Sequence, residues 1–485
     1  MKKFISIMLL AALLLSAASC GSSDGGNKTK DSVQNDETTS AGTSEEAATE
    51  VLPDIPESGD YGGYEFRVLY EVTGWGTYTE EHIDFDSETG DVLSDAIYRR
   101  NRLCEDKYNF KLVNIDKKDV TTTLNATILS GDDEYDLAMV TYGWAKGTDT
   151  LVDFNTVPHI GLDKPWWNSS ASEQMQVDGM LTNMLSDFMI THRDGTVAMF
   201  FNKKLEENYQ LENLYETVRN GKWTLDKFAE CTKNVAVDLD GDGKMTDADM
   251  YGYSALDSNS FTYLIYGAGE KLVAMDDDGK PKLDINNERF ITKYQKVVGT
   301  VQSDNKWYCP KYNKNSGMDG DQSIFRVFHE NRALFLSHGI GSAKKFRDMD
   351  NDFGVLPAPK YDEAQENYQN VIDAGKFMVI PKTAQDLDRT GVILESLSYE
   401  GYKSVISAYY DTMLKNKLMR DEDSIEMLDE YIFLNTVVKN FFYADVQGTI
   451  QDIVKKPEAM ASTIASKEAS LQKKIDKIYD TFINE

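Results

Sequence analysis

Short apolar runs and helical periods alternate along the chain from residue 64 onward. Residues 64–70 (YEFRVLY), 110–115 (FKLVNI) and 136–140 (DLAMV) predict strands. Between them, residues 93–108 (LSDAIYRRNRLCEDKY) place Ala96, Ile97, Leu103 and Cys104 on one predicted helical face, and 120–129 predict a second, Thr-rich helix. Strands alternating with helices argue for a parallel sheet. Ligands of such sheets bind beyond the carboxyl ends of the strands. Those ends are residues 71–78 (EVTGWGTY) and 141–144 (TYGW), loops rich in Gly, Trp and Tyr.

A second unit follows. Residues 188–190 and 197–201 flank His192, Arg193, Asp194 and Gly195, an Asp-Gly pair that predicts a β-hairpin. Thr224 is placed to cap a helix over 225–237. Further on, 324–330 is helical in pattern, 333–336 strand-like and 337–342 (SHGIGS) a Gly-rich loop. Residues 353–356 (FGVL) and 377–380 (FMVI) predict strands ended by Pro357 and Pro381. From Leu387 the pattern is largely helical, closing on an amphipathic stretch with Ile464, Leu471, Ile475, Ile478 and Phe482. No internal repeat is visible.

The first sixty residues follow other rules. Lys2 and Lys3 precede an apolar run over 4–15, and Ala17, Ala18 and Ser19 lead into Cys20. This is a secretory signal over 1–20, too short for an ordinary spanning helix. Cys after small residues resembles the lipobox of bacterial lipoproteins, in which the thiol is diacylglycerated and becomes the mature terminus. Ala17 stands where Leu is preferred. Acyl chains on Cys20 would anchor the protein at a membrane surface. Residues 21–59 are polar and predict a disordered tether. The expectation is a globular body held outside the cell membrane.

Charge and side-chain chemistry narrow the classes. The formal charge of −30 argues against nucleic acid as a partner. Cys104, Cys231 and Cys309 are an odd set at no metal spacing, so no disulfide framework is indicated. The five histidines are isolated, which removes the zinc constellations. Neither a P-loop nor a nucleophile elbow is present, so catalysis has no positive support. The sharpest local motif is residues 238–249 (DLDGDGKMTDAD). Asp238, Asp240 and Asp242, the Lys244 carbonyl and Asp249 match a calcium loop at positions 1, 3, 5, 7 and 12. Asp249 replaces the usual bidentate Glu. The loop lies just before 251–254 (YGYS), so calcium there would be structural.

Ordered landmarks give the body a family resemblance. They are DAIYRRN (95–101), VAMFFNKKL (197–205), KWTLDKF (222–228), DLDGDG followed by YGYS, HENRALFLSHGIGS (329–342), FGVLPAPK (353–360) and DAGKFMVIPK (373–382). Together they resemble the carbohydrate-type extracellular solute-binding proteins of ABC importers. The resemblance implies a two-lobed α/β fold of the periplasmic-binding-protein type, with hinge crossovers at 197–203 and 373–381 and a helical C-terminal region. Lobe 1 would comprise 60–199 and 374–405; lobe 2 would comprise 203–370 and 406–485.

Sugars need flat rings for their apolar faces and carboxylates or amides for their hydroxyls. Trp75, Tyr78, Tyr142 and Trp144 on the strand-end loops fit that need. So do Asp257, Ser258, Asn259 and Phe261, where the family places a ligand loop; His338 lies on a second such loop, and Asp373 and Lys376 sit at the return crossover. Trp166 and Trp167 read as a packing anchor, and Trp223 as a staple on the helix that follows it. The expected function is capture of a sugar, an oligosaccharide, by a monomer that closes on its hinge and delivers the ligand to ABC permease subunits. An extracellular glycan-degrading enzyme and a surface adhesion or sensor protein are the alternative classes.

Overall fold

The structure is a computed structural model that describes residues 50–73, 78–303, 306–310, 320–415, 421–439, 442–453 and 457–484. The expected signal with Cys20, and Trp75, lie outside these residues. From Pro53 onward the chain forms one unit built on two hydrophobic cores, each organised around one sheet.

In the first lobe β1 (Tyr64–Glu71) lies parallel to β2 (Phe110–Lys117) on one side and β3 (Leu137–Thr141) on the other. Parallel neighbours need crossovers, and helices α1 (Val92–Tyr108) and α2 (Val120–Ser130) supply them. Asp91 starts α1 by accepting the Leu93 and Ser94 amides, and Asn109 ends it in the left-handed region at φ 50°. β12 (Lys376–Val379) returns from late in the chain to pair antiparallel with β3, Met378 opposite Met139, giving the order β12-β3-β1-β2.

The second lobe holds a five-stranded sheet in the order β10-β4-β9-β5-β8. Its strands are β4 (Val197–Asn202), β5 (Tyr251–Ser254), β8 (Trp307–Tyr308), β9 (Ala333–Gly339) and β10 (Phe353–Leu356). All six residues of β4 are buried, as expected of a strand covered on both faces. Helices α3 (Leu225–Thr232), α4 (Asp257–Gly267), α5 (Glu288–Gln302) and α6 (Gly320–His329) pack around the sheet. Thr224 caps α3 through the Lys227 amide. The buried Trp223 donates its indole N–H to the Pro357 carbonyl at 2.9 Å. A small hairpin, β6 (Val273–Met275) and β7 (Pro281–Leu283), packs on this core and is bonded to Gln472 of the C-terminal helix.

Three segments pass between the lobes. β4 leaves the first lobe and β12 returns to it, while β11 (Asn370–Ile372) pairs parallel with β13 (Thr436–Val438). Thr196 bridges Ile372, and the Asp373 amide donates to the Gly195 carbonyl at 3.0 Å. The first and second crossings pass so closely that a Cβ on Gly195 would lie 1.7 Å from the Ala374 carbonyl oxygen. Glycine at 195 is therefore a requirement of close approach, not of a left-handed turn.

The C-terminal helices join both cores. α7 (Leu387–Glu400) packs in the first core, whereas α8 (Ile406–Lys415), α9 (Ala444–Ile453) and α10 (Met460–Asn484) contribute to the second. The end of α10 then reaches the loop after β3, where its Phe482 carbonyl abuts Gly147. No helix among the described residues is long and apolar enough to cross a membrane.

Four local expectations differ from the structure. The hairpin around Asp194 is instead a single helical turn, Thr191–Asp194, and 188–190 form no strand. Asp194 does not close a turn because its carboxylate is bonded elsewhere. Leu103 faces solvent, and the buried face of α1 carries Arg100 and Asn101 with Ile97 and Cys104. The predicted loop at 337–342 is the end of β9 followed by a 3-10 turn, Ile340–Phe346. The tether does not extend to residue 59. The Pro56 carbonyl accepts the Tyr108 hydroxyl, the Gly59 amide donates to the Lys107 carbonyl, and Ile55 packs on the first core.

Candidate ligand-binding site

The carboxyl ends of β1 and β3 meet the three crossing segments at one place. Tyr142 follows β3 directly and holds a left-handed backbone at φ 64°, with Gly143 behind it at φ 77°. A non-glycine residue there costs about 1–3 kcal/mol, and such strain recurs at ligand sites. Asn183 fixes the turn from below. It accepts the Trp144 amide at 2.6 Å and donates to the Trp144 carbonyl at 3.0 Å. The Lys439 ammonium sits 5.0 Å from the Tyr142 ring centroid and pairs with Asp373 at 2.9 Å. Asp373 also accepts the hydroxyl of Tyr263 from α4. One ion pair thus joins a first-lobe tyrosine, two crossings and a second-lobe tyrosine.

More tyrosines extend this cluster. Burial, reinforced by neighbouring carboxylates and phenols, raises the pKa values of Tyr70, Tyr78, Tyr142, Tyr263 and Tyr266. Tyr78 contributes to the shift of Tyr70, Tyr142 to that of Tyr78, and Tyr142 to that of Tyr263, which places these phenols within electrostatic reach of one another. They stay protonated and act as donors at neutral pH. Three of them, on Tyr70, Tyr78 and Tyr266, are buried with no hydrogen-bond partner among the described residues. A buried hydroxyl without a partner is costly to a fold. Two of them, on Tyr70 and Tyr78, belong to β1 and the loop that follows it, whereas Tyr266 packs against Tyr443 in the second core.

The cations here are held firmly. Lys376 is buried; its ammonium donates to the Glu71 carbonyl and to Thr141 Oγ1, with Glu81 at 3.4 Å, and burial lowers its pKa. Glu71 accepts the Thr141 amide at 2.6 Å. From the second lobe, Lys344 donates to the Tyr78 carbonyl. At the hinge, Arg193 pairs with Asp187 at 3.0 Å, and Tyr410 links Asp429 to the same group.

The candidates taken from the sequence separate into groups. Tyr78, Tyr142 and Asp373 come together as described. Trp144 is half-buried on the first core, presented at the same strand end. Asp257, Ser258 and Asn259 open helix α4 instead of forming a loop. Phe261 is a core residue, its ring meeting Trp307 edge-on at 5.0 Å. His338, near the end of β9, shares a hydrogen bond with Ser342 and packs on Phe325. Trp166 and Trp167 are buried and both donate indole N–H groups to Glu395, at 2.9 and 2.8 Å.

Tyr70, Tyr263, Tyr266, Lys344 and Lys439 were not anticipated. Tyr263 and Tyr266 sit three apart in an apolar helix, a pattern shared with ordinary core residues. Lys439 follows a third crossing that carries no sequence signal of its own.

The acidic loop stands apart from this cluster. Carboxylate oxygens of Asp238, Asp240 and Asp242 lie within 4.8 Å of one another. Asp238 accepts the Gly241 and Gly243 amides, and those amides hold its pKa low. Asp249 is buried, and its oxygens accept the Leu239 amide at 2.9 Å and the Thr246 amide at 2.7 Å. In this arrangement Asp249 braces the loop from within. Arg332 donates to the carbonyls of Asp247 and Asp249, which ties the loop to the start of β9.

Comparison with known proteins rests on structure. No protein-family model matches the chain, and no curated protein does. Among solved structures, an ABC substrate-binding protein from Listeria monocytogenes in complex with cycloalternan is similar at TM-score 0.52 and 14% identity, covering 85% of this chain and 99% of that one. RafE from Streptococcus pneumoniae gives 0.53 and 12%, covering 86% and 99%. The maltose/maltodextrin-binding domain MalE from Bdellovibrio bacteriovorus, bound to maltotriose, gives 0.51 and 13%, covering 85% and 100%. The chain therefore has the two-lobed periplasmic-binding-protein fold.

Proposed function

We propose that the protein is a non-enzymatic, extracytoplasmic substrate-binding protein that captures a carbohydrate, an oligosaccharide, for an ABC importer. The observation that carries this reading is the convergence of Tyr142, Asp373 and Lys439 where strand ends and crossings meet, with the unpartnered buried hydroxyls of Tyr70 and Tyr78 in β1 and the loop that follows it. Phenols offer an apolar face to a sugar ring and a donor to its hydroxyls. Proteins with the same fold include one in complex with cycloalternan and one bound to maltotriose.

Capture is by lobe closure. A ligand touching both lobes binds the closed form more tightly and shifts the population toward it. Asp373, Lys439 and Tyr263 are placed to link the lobes at the hinge while Tyr78 and Tyr142 meet the ligand. No bond is broken; the permease partner supplies the energy of transport. The protein acts as a monomer, anchored through a diacylated Cys20. Calcium at Asp238, Asp240, Asp242 and the Lys244 carbonyl steadies the connection into β5, while Asp249, expected to close the frame as a ligand, instead braces the loop from within through the Leu239 and Thr246 amides.

Titration calorimetry against a panel of α-linked oligosaccharides tests the ligand class. Saturable heat with a glycan supports it. Binding of amino acids, peptides or metal chelates in place of every glycan would overturn it.

A further inference from the structure

Asp194 belongs to no candidate motif, yet it joins four elements. It lies in the first crossing and is fully buried. Its carboxylate accepts the Thr79 backbone amide, the Thr79 hydroxyl at 3.0 Å and the Tyr409 hydroxyl of α8 at 2.9 Å. Lys344, in the 3-10 turn after β9, donates to the carbonyl of the adjacent Tyr78, and its ammonium interacts favourably with Asp194. Tyr78 in turn carries one of the unpartnered hydroxyls. The Tyr78 and Thr79 backbone is thus held by the hinge from one side and by the second lobe from the other.

We propose that Asp194 is a positioning residue for ligand capture: through its carboxylate charge it fixes the Tyr78 and Thr79 turn and Lys344 in the ligand-receiving arrangement. This rests on the reading of the adjoining cluster as the carbohydrate site. Protonation then loosens the turn, because the acid form has lost one acceptor and Lys344 has lost its nearest counter-charge. Geometry supplies the means and burial sets the range. With no cation in direct contact among the described residues, burial pushes the Asp194 carboxyl up to about 6, against the pull of Thr79, Tyr409 and Lys344.

The remaining charged groups around it are accounted for. Arg193 on the same turn is engaged by Asp187 and Tyr410. Burial keeps His192 neutral down to about 3. Glu80 and Glu81 interact with Lys344. Burial also raises the pKa values of Asp187 and Asp429 beside Arg193 and Tyr410, so the share of the acid loss of affinity that belongs to Asp194 is the share that Asp194→Asn removes.

The sign separates positioning from general acid unfolding. A carboxyl whose folded pKa exceeds its unfolded value binds the proton more tightly when folded. Its effect on global stability therefore becomes more favourable as pH falls through about 6 toward the unfolded value. Loosening of the turn and loss of affinity would accompany a contribution that strengthens the fold.

The test uses the full chain and two readouts. Hydrogen–deuterium exchange of the ligand-free protein follows the Thr79 amide, corrected for intrinsic rates, between about pH 7.5 and about pH 5. Calorimetry with maltotriose as the probe follows affinity over the same range. In wild type the Thr79 amide is expected to lose protection, and maltotriose to bind about tenfold more weakly per pH unit below the Asp194 range. Asp194→Asn should be unprotected and weak throughout, with a flatter pH profile and a melting temperature no lower than wild type. Asp194→Glu should restore a pH-dependent profile. Equal Thr79 protection at both pH values, or an Asp194→Asn variant that keeps the wild-type profile, overturns the proposal. If maltotriose fails to bind, the glycan reading is what suffers, and the exchange measurement alone decides for or against Asp194.

Discussion

Replacing Tyr78 with Phe should move stability and binding in opposite directions. The Tyr78 hydroxyl is buried without a partner among the described residues, while the ring is only 4% exposed. An unsatisfied buried hydroxyl costs about 1–3 kcal/mol, so Tyr78→Phe should stabilise the ligand-free protein by about 1 kcal/mol. The unit from Pro53 to Glu485 has about 430 residues. At about 2.1 cal/mol/K per residue its unfolding entropy is about 0.9 kcal/mol/K, so the melting temperature should rise by about 1 °C. Binding should weaken, because a neutral hydrogen bond contributes about 0.5–1.5 kcal/mol, equivalent to about two- to tenfold in Kd. Differential scanning calorimetry without ligand and titration calorimetry with the best glycan measure the two arms. A variant less stable than wild type that binds with unchanged affinity would show that the hydroxyl serves the fold and not the ligand.

Other perturbations have equally definite outcomes. Gly391→Ala in α7 should destabilise, against the usual gain of about 1 kcal/mol for Ala over Gly in a helix. The reason is that the new Cβ would sit 1.8 Å from the Pro158 carbonyl oxygen; a lower urea midpoint checks it. His192 is buried and held neutral, its pKa pushed down to about 3 by desolvation and Arg193. The unfolded chain therefore takes up the proton first, and this group withdraws about 1.4 kcal/mol of stability per pH unit as pH falls from about 6.5 toward 3. His192→Gln should flatten that acid limb in chemical denaturation. Calcium at 100 times its dissociation constant should add about 2.7 kcal/mol of stability to wild type and nothing to Asp240→Ala, measured by thermal shift with and without chelator.

The fold was legible where local pattern and tertiary role agree. The strands at 64–70, 110–115 and 353–356 are apolar runs that need no distant partner to be recognised, and each is a strand within a few residues of its predicted limits. Thr224 likewise caps α3 by a rule local to four residues. The candidate cluster was legible only in part. Tyr78, Tyr142 and Trp144 follow from strand ends plus aromatic chemistry. Asp194 misled, because an Asp-Gly pair favours a turn in isolation, whereas here its carboxylate binds Thr79 and Tyr409, 115 and 215 residues away in sequence. Phe261 was placed at the ligand by its neighbours in sequence, but its helical phase directs it to Trp307. Lys439 was invisible because its meaning depends on β13 pairing with β11, a contact between segments that share no pattern.

The return of β12 to the first sheet has a consequence for how the molecule is made. The edge of that sheet beside β3 stays unpaired until residues 376–379 exist, and the α7 face of the first core is uncovered until residue 400 follows. A nascent chain halted within the second lobe exposes Met139 and Val140 along an open strand edge, a surface prone to wrong pairing. Closing such distant contacts is slow, since loop closure must precede the contacts that reward it. The first lobe therefore completes only after the second-lobe strands β4 to β10 have been synthesised and 400 of the 485 residues have emerged.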